Sequence, residues 1–290
     1  MTFASPDDLE AALRAESYLA DRSLALALYL ALTMRRPLLL EGEPGVGKTE
    51  VARTLSRVLG TELIRLQCYE GIDAGQALYE WDYARQLLYA RLLQSGDVDA
   101  DATVDELYGP RFLQERPLLA AVRAGSQAVL LVDELDRADD EFEAFLLEAL
   151  SDSSVTIPEI GRVGSADGSR PAVIITSNRT RELHDALKRR CLYHWIDYPD
   201  PAREAAIIRL RVPIASDRLA RSVAAAVERL RGMDLIKPPG AAEAIDWAEA
   251  LTVLELDALD EEGARATLGW AVKSHDDLRA VEARIPELLG

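Results

Sequence analysis

An α/β domain built on a parallel sheet, followed by an all-α domain, is the architecture this sequence predicts. Three observations predict it. The run Pro37-Leu38-Leu39-Leu40 is apolar, ends in a glycine-rich turn and leads into an amphipathic helix at 50–59, the pattern of a buried strand feeding a helix. Ala128 to Val132 is a second unbroken apolar run, closed by Asp133-Glu134. After Pro199 and Pro201 the strand signals stop and only helical periodicity continues. Strands alternating with helices, then helices alone, divide the chain near residue 200 into domains over 1–200 and 201–290.

The elements follow in order. Residues 8–33 are rich in Ala and Leu and read as helices, broken at Arg35-Arg36-Pro37. In the helix at 50–59, Val51, Leu55, Val58 and Leu59 share a face, and Gly60 is its stop. Thr61 to Gln67 alternates apolar and polar residues as a second strand. Gln76 to Leu93 reads as a Tyr- and Leu-rich helix, and 95–106 as an acidic loop. A helix at 142–150 precedes a hairpin over 155–168, with strands at 172–176 and 192–196. Helices are predicted at 202–211, 216–231, 240–251, 257–270 and 276–288.

Composition narrows the function. The chain's 290 residues carry 33 Lys and Arg against 50 Asp and Glu, a formal charge of −17. Nucleic acid and anionic membranes repel such a chain at long range, which argues against both as general partners. Cys68 and Cys191 make neither a C-x-x-C pair nor a zinc set, and two thiols in a chain of this length suit a reducing compartment. Residues 1–10 are polar, with Asp7, Asp8 and Glu10, unlike a secretory leader. The most apolar stretch, Leu24 to Leu32, is about half what a bilayer span needs. A cytoplasmic protein without a membrane span is the expectation.

Four elements carry chemistry. Gly42-Glu43-Pro44-Gly45-Val46-Gly47-Lys48-Thr49 fits G-x-x-x-x-G-K-[ST] between a strand and a helix. Its glycines let backbone N–H groups surround phosphate oxygens at the positive end of the following helix. Lys48 would reach the β- and γ-phosphates, and the Thr49 hydroxyl would join a Mg²⁺ shell. Asp133, at a strand's carboxyl end, is placed to orient that metal, and Glu134 to polarise an attacking water. Asn178, after the apolar run 173–175, can hold that water, although Asn also favours plain turns. Arg189 and Arg190, before the last strand, can serve a neighbour's γ-phosphate or form a solvated basic turn.

In this order and spacing the four elements resemble the AAA+ ATPases. The likeness is greatest to the MoxR family and its subgroup associated with carbon monoxide dehydrogenase maturation. It is carried by Gly42 to Glu50, Cys68-Tyr69-Glu70-Gly71-Ile72-Asp73, the run Tyr79 to Leu88, and Asp133 to Asp139 onward through Phe145-Leu146-Leu147-Glu148 to Val155-Thr156-Ile157-Pro158-Glu159. It covers about residues 15–275. The resemblance implies a P-loop core with a five-stranded parallel sheet and a helical lid, assembled as a ring, usually a hexamer. It implies ATP and Mg²⁺ as ligands, an insert at 71–95 and a hairpin at 155–171. It gives Asn178 the sensor 1 role and Arg190, or Arg189, the arginine-finger role. It further implies a von Willebrand A-type partner and a metalloenzyme client for a remodelling chaperone. One departure stands out: Lys237-Pro238-Pro239-Gly240-Ala241-Ala242 holds no arginine where the family usually has sensor 2. Either Lys237 substitutes or the lid senses nucleotide otherwise. Tyr79, Trp81, Tyr83 and Tyr89 fall in the insert, as core or as a grip on a partner, and Tyr79 and Tyr83 would share a helical face.

Overall fold

The computed structural model describes residues 3–93, 106–152 and 154–289. The acidic stretch at 95–106 lies, but for Glu106, outside them. Its elements are α1 (Pro6–Ala15), α2 (Arg22–Met34), β1 (Leu38–Gly42), α3 (Lys48–Leu59), β2 (Glu62–Gln67), α4 (Ala74–Leu78), β3 (Tyr79–Trp81), α5 (Tyr83–Leu93), β4 (Leu113–Glu115), α6 (Pro117–Ala124), β5 (Ala128–Asp133) and α7 (Asp140–Asp152). There follow β6 (Ser154–Ile157), β7 (Gly161–Gly164), β8 (Ala172–Ser177), α8 (Asp185–Arg190) and β9 (Leu192–Ile196). The C-terminal helical region comprises α9 (Pro201–Arg211), α10 (Asp217–Arg231), α11 (Ala241–Val253), α12 (Glu261–Ala271), α13 (His275–Glu282) and α14 (Ile285–Leu289).

Five strands form the predicted parallel sheet, in the order β2-β5-β8-β1-β9. Side chains alternate faces along a strand, so a continuous apolar run supplies two cores at once. Leu39, Leu130, Val132 and Ile175 go to one face with α6 and α7 residues such as Leu118, Leu119 and Leu146. Leu38, Leu40, Val129, Leu131 and Ile174 go to the other, against Leu9, Leu24, Leu28 and Leu55 of the helices α1, α2 and α3. Ser5 and Asp21 cap α1 and α2 by accepting the Asp8 and Leu24 N–H groups. α2 ends on Arg35 in the left-handed region, which turns the chain into β1.

The single helix read over 76–93 is corrected. It is two helices split by β3, whose Tyr79, Glu80 and Trp81 pair antiparallel with Glu115, Gln114 and Leu113 of β4. Tyr79 and Tyr83 therefore do not share a helical face. Trp81 is buried and Tyr79 and Tyr89 pack on the same core, whereas Tyr83 is exposed. Sheet pairing with a partner more than thirty residues away overrides the local helical pattern. The hairpin forms as read, from β6 and β7. The terminal helix read over 276–288 is likewise two, α13 and α14.

The helical region has its own core, centred on the fully buried Trp247 of α11. Its indole N–H donates to Thr267 Oγ1 at 2.7 Å, and that hydroxyl donates to the Gly263 carbonyl at 2.6 Å. Both polar groups are thus satisfied without water. No helix among the described residues is long and apolar enough to cross a membrane. Trp247→Ala should cost about 3–5 kcal/mol, read by urea denaturation. A cost under about 1 kcal/mol, typical of surface sites, would contradict this core.

Candidate functional site

Three adjacent strands, β5, β8 and β1, release their chains at the same edge of the sheet, where open α/β sheets bind ligands. The loop after β1 turns on Gly45 and Gly47, at φ +79° and +94°, a region that L side chains seldom enter. Gly47 is the N-cap of α3, so the first N–H groups of that helix face the loop. A cavity of about 700 Å³ opens there, lined by Pro44 to Glu50, Asp133, Glu134, Thr176 and Asn178. The Gly42 and Glu43 carbonyls accept the Lys48 Nζ at 2.7 and 2.8 Å. Among the residues assigned from sequence, the structure thus brings together the loop, both acids and Asn178.

Lys48 is buried, and burial lowers its pKa to about 8, against the opposing charges of Asp136, Glu43, Asp133 and Glu134. Thr49 Oγ1 donates to Asp133 Oδ1 at 3.1 Å. A hydroxyl and a carboxylate at that spacing form the all-oxygen donor set that suits Mg²⁺, and the glycine turns with Lys48 suit a polyphosphate. Glu134 adopts the left-handed region, φ 55° and ψ 50°. Its backbone N–H donates to Thr176 Oγ1 at 2.9 Å, and that hydroxyl donates to Asp133 Oδ1 at 2.6 Å. Thr176 thereby locks the two acids to the neighbouring strand. Asp136 Oδ2 accepts the Thr180 N–H and hydroxyl at 2.8 and 2.7 Å, tying the turn after β5 to the loop that carries Asn178.

Arg189 and Arg190 stand apart from this cavity. Both are exposed at the end of α8, where Arg190 Nη1 donates to the Leu147 carbonyl at 3.2 Å. Arg36 donates to the Arg189 and Arg190 carbonyls at 2.8 and 3.2 Å, a cation at the negative end of a helix. Lys237 is exposed and does not line the cavity. Its backbone N–H is held by Asp277 at 3.0 Å.

Sequence reasoning missed several groups. Ser17, Tyr18, Leu19 and Asp21, with Trp195 to Asp200, wall the cavity, and Arg203 and Arg211 of α9 line it. Arg203 donates to Asp21 at 3.1 Å and to the Leu19 carbonyl at 2.9 Å, joining the helical region to the N-terminal segment. Ala241 and Ala242 open α11 directly over the loop, and the Ala241 N–H donates to the Gly45 carbonyl at 3.0 Å. A Cβ on Gly240 would lie 2.6 Å from Gly45 Cα, so this contact admits no side chain. Arg65 and Gln67 of β2 hold the acids: Arg65 Nε reaches Asp133 Oδ2 at 2.9 Å and Gln67 Nε2 reaches Glu134 Oε2 at 3.0 Å. The alternation of β2 was the one signal for them, since it puts both on one face.

Residues 37–191, over half of the chain, match the AAA domain family, dynein-related subfamily. This chain belongs to that family. The AAA match agrees with the MoxR-like character read from the sequence. Protein NorQ of Paracoccus denitrificans is 26% identical over 208 residues, covering 69% of this chain and 67% of NorQ. An uncharacterized protein, SSP1341 of Staphylococcus saprophyticus, is 24% identical over 206 residues, 70% of this chain and 71% of that protein. Two point variants of RuvB from Thermotoga maritima share the AAA+ fold, each at TM-score 0.51. They are 18% and 19% identical, covering 96% and 92% of this chain and 76% and 72% of theirs.

The depressed Lys48 pKa has a measurable consequence. In the empty site Lys48 loses its proton as the pH rises through about 8, whereas bound phosphates favour the ammonium. Proton uptake on nucleotide binding should therefore rise from near zero at about pH 7 to nearly one at about pH 9. Calorimetry in buffers of different ionisation enthalpy reads it. A flat uptake across that range would mean that Lys48 stays charged in the empty site.

Proposed function

We propose that this chain is the ATP-hydrolysing subunit of a ring, a hexamer by family likeness, that remodels or matures a metalloenzyme in the cytoplasm. The observation that carries the chemical part is the meeting of Lys48, Thr49, Asp133, Glu134 and Asn178 at one cavity. The loop from Gly42 to Glu50 holds the phosphates, with Lys48 on the terminal ones. Thr49, and Asp133 directly or through water, would hold Mg²⁺, which would supply charge neutralisation on the phosphates. Glu134 draws the proton from the attacking water and Asn178 orients that water. Arg190, or Arg189, lies on an exposed helix end away from its own cavity, which supports service to a neighbouring subunit's γ-phosphate. Residues 1–200 form the nucleotide-binding domain and 201–290 the lid.

The client side rests on the sequence likeness in 68–88 and 133–159 and on the similarity to NorQ. It points to a von Willebrand A-type partner protein and a metalloenzyme client, with the carbon monoxide dehydrogenase subgroup as the nearest likeness. A second reading, a nucleotide-gated scaffold whose turnover is incidental, draws on Lys237 standing off the cavity in a segment without arginine. A nucleic-acid motor is disfavoured by the −17 charge, and a likeness to RuvB at 18% identity speaks for fold alone.

ATP turnover measured together with native mass, with and without ATP, tests the proposal. Wild type should assemble with ATP and hydrolyse it. Glu134→Gln should assemble but lose at least ~100-fold in turnover. Arg190→Ala should lose about 10³-fold or more if its guanidinium acts in trans. Normal turnover in Arg190→Ala would move the finger to Arg189. Normal turnover in Glu134→Gln would sink the hydrolytic assignment. Client activation undiminished in Glu134→Gln would favour the scaffold.

A further inference from the structure

Asp133 is the most crowded group in the site. Its carboxylate is 2% exposed. Oδ1 accepts the Thr176 and Thr49 hydroxyls at 2.6 and 3.1 Å, and Oδ2 accepts Arg65 Nε and Nη2 at 2.9 and 2.5 Å. A carboxylate offers about four acceptor directions, and all are in use. A metal ion or its bound water can approach Asp133 only when one donor leaves. The three donor groups are not equally able to do so. The Thr49 hydroxyl keeps a lone pair for a metal while still donating to Asp133. Thr176 is 1% exposed and also accepts the Glu134 N–H, so its place is fixed.

Arg65 differs on each count. A guanidinium donates only, carries a positive charge that repels a dication, and has no lone pair to share. Its side chain is 44% exposed, and β2 is an edge strand, so Arg65 can swing into water without burying its charge. Gln67 beside it already accepts its Nη2, so a partner stays within reach after Asp133 is given up.

We infer that Arg65 is a placeholder cation that competes with Mg²⁺ for Asp133 and so sets the metal concentration at which nucleotide is held. The inference rests on the proposed Mg²⁺–nucleotide reading of this cavity. In the empty site Arg65 neutralises a buried carboxylate that would otherwise be left unpaired at considerable cost. In the loaded site that carboxylate passes to the metal shell and the guanidinium to solvent. Arg65 is thus a positioning residue, acting on nucleotide through Asp133.

The test uses the full chain and a fluorescent ADP analogue, with binding followed as Mg²⁺ is raised from EDTA conditions. In Arg65→Gln the half-saturating Mg²⁺ concentration should fall about three- to tenfold, the scale of a partly exposed charge pair. Arg65→Lys keeps the charge with fewer donors and should fall between the two, which also serves if Arg65→Gln unfolds in a thermal melt. An unchanged or raised Mg²⁺ requirement in a folded variant overturns the inference, the raised value marking Arg65 as a support that holds Asp133 in place. A wild type that binds no nucleotide at any Mg²⁺ concentration overturns the reading of the cavity and the inference with it. Binding with an unshifted metal requirement overturns the inference alone.

Discussion

The parallel pairing of β5, β8 and β1 is the constraint on which the site depends. Val132 lies beside Ile175 of β8, and Glu41 of β1 lies beside Ser177. That register brings Asp133, Asn178 and the loop from Gly42 to the same edge. Apolar residues on both faces of these strands hold them between two cores, and Thr176 ties the end of β5 to β8 through the Glu134 N–H and the Asp133 carboxylate. A slip of one residue between β5 and β8 would break the Thr176 bonds to Glu134 and Asp133 and carry Asn178 out of line with them. The chemistry is positioned by residues that take no part in it.

Charge is mixed within the cavity as it is over the chain. The chain carries −17, and its cavity sets Lys48, Arg53, Arg203 and Arg211 among Asp21, Glu50, Asp133, Glu134, Asp197 and Asp200. These cations serve local ends: Arg203 pairs with Asp21, Arg211 reaches Glu50 at 3.4 Å, and Lys48 sits among acids beneath the loop. Proteins can repel polyanions at long range and still hold one at close range, because fields of exposed charges fade within about 10 Å in salt while buried ones are screened less. The cavity is thus no positive patch, and a small phosphate entering it would meet the N–H groups of the loop and Lys48 at close range.

What the sequence made legible was whatever a few consecutive residues decide. The glycine turn into Lys48-Thr49 and the apolar run into Asp133-Glu134 are local, each strand of the sheet showed in its own short pattern, and their number as one parallel sheet came from the family resemblance. Groups set by pairing between distant segments escaped. Tyr79 to Trp81 reads as helix until β4 is known to lie beside it, and α6 at Pro117–Ala124 drew no prediction at all. Arg65 and Gln67 look like the solvent side of an amphipathic strand. Their partners appear only once β2 is paired with β5, where Gln67 falls opposite Asp133. The part of Ser17, Tyr18, Leu19 and Asp21 in the cavity wall, and the distance of Lys237 from it, likewise depend on how helices pack over the sheet edge.

The meeting of Gly45 and Gly240 has a mechanical consequence. Two main chains touch there with no side chain between them, and one hydrogen bond, from Ala241 N–H to the Gly45 carbonyl, joins them. Side chains absorb small displacements by changing rotamer; bare backbone has no such slack. α11 starts at this junction and runs 13 residues, a rod of about 20 Å. α11 is packed through Trp247 into the core of the helical region, so a shift of the loop would be passed to that region as a whole.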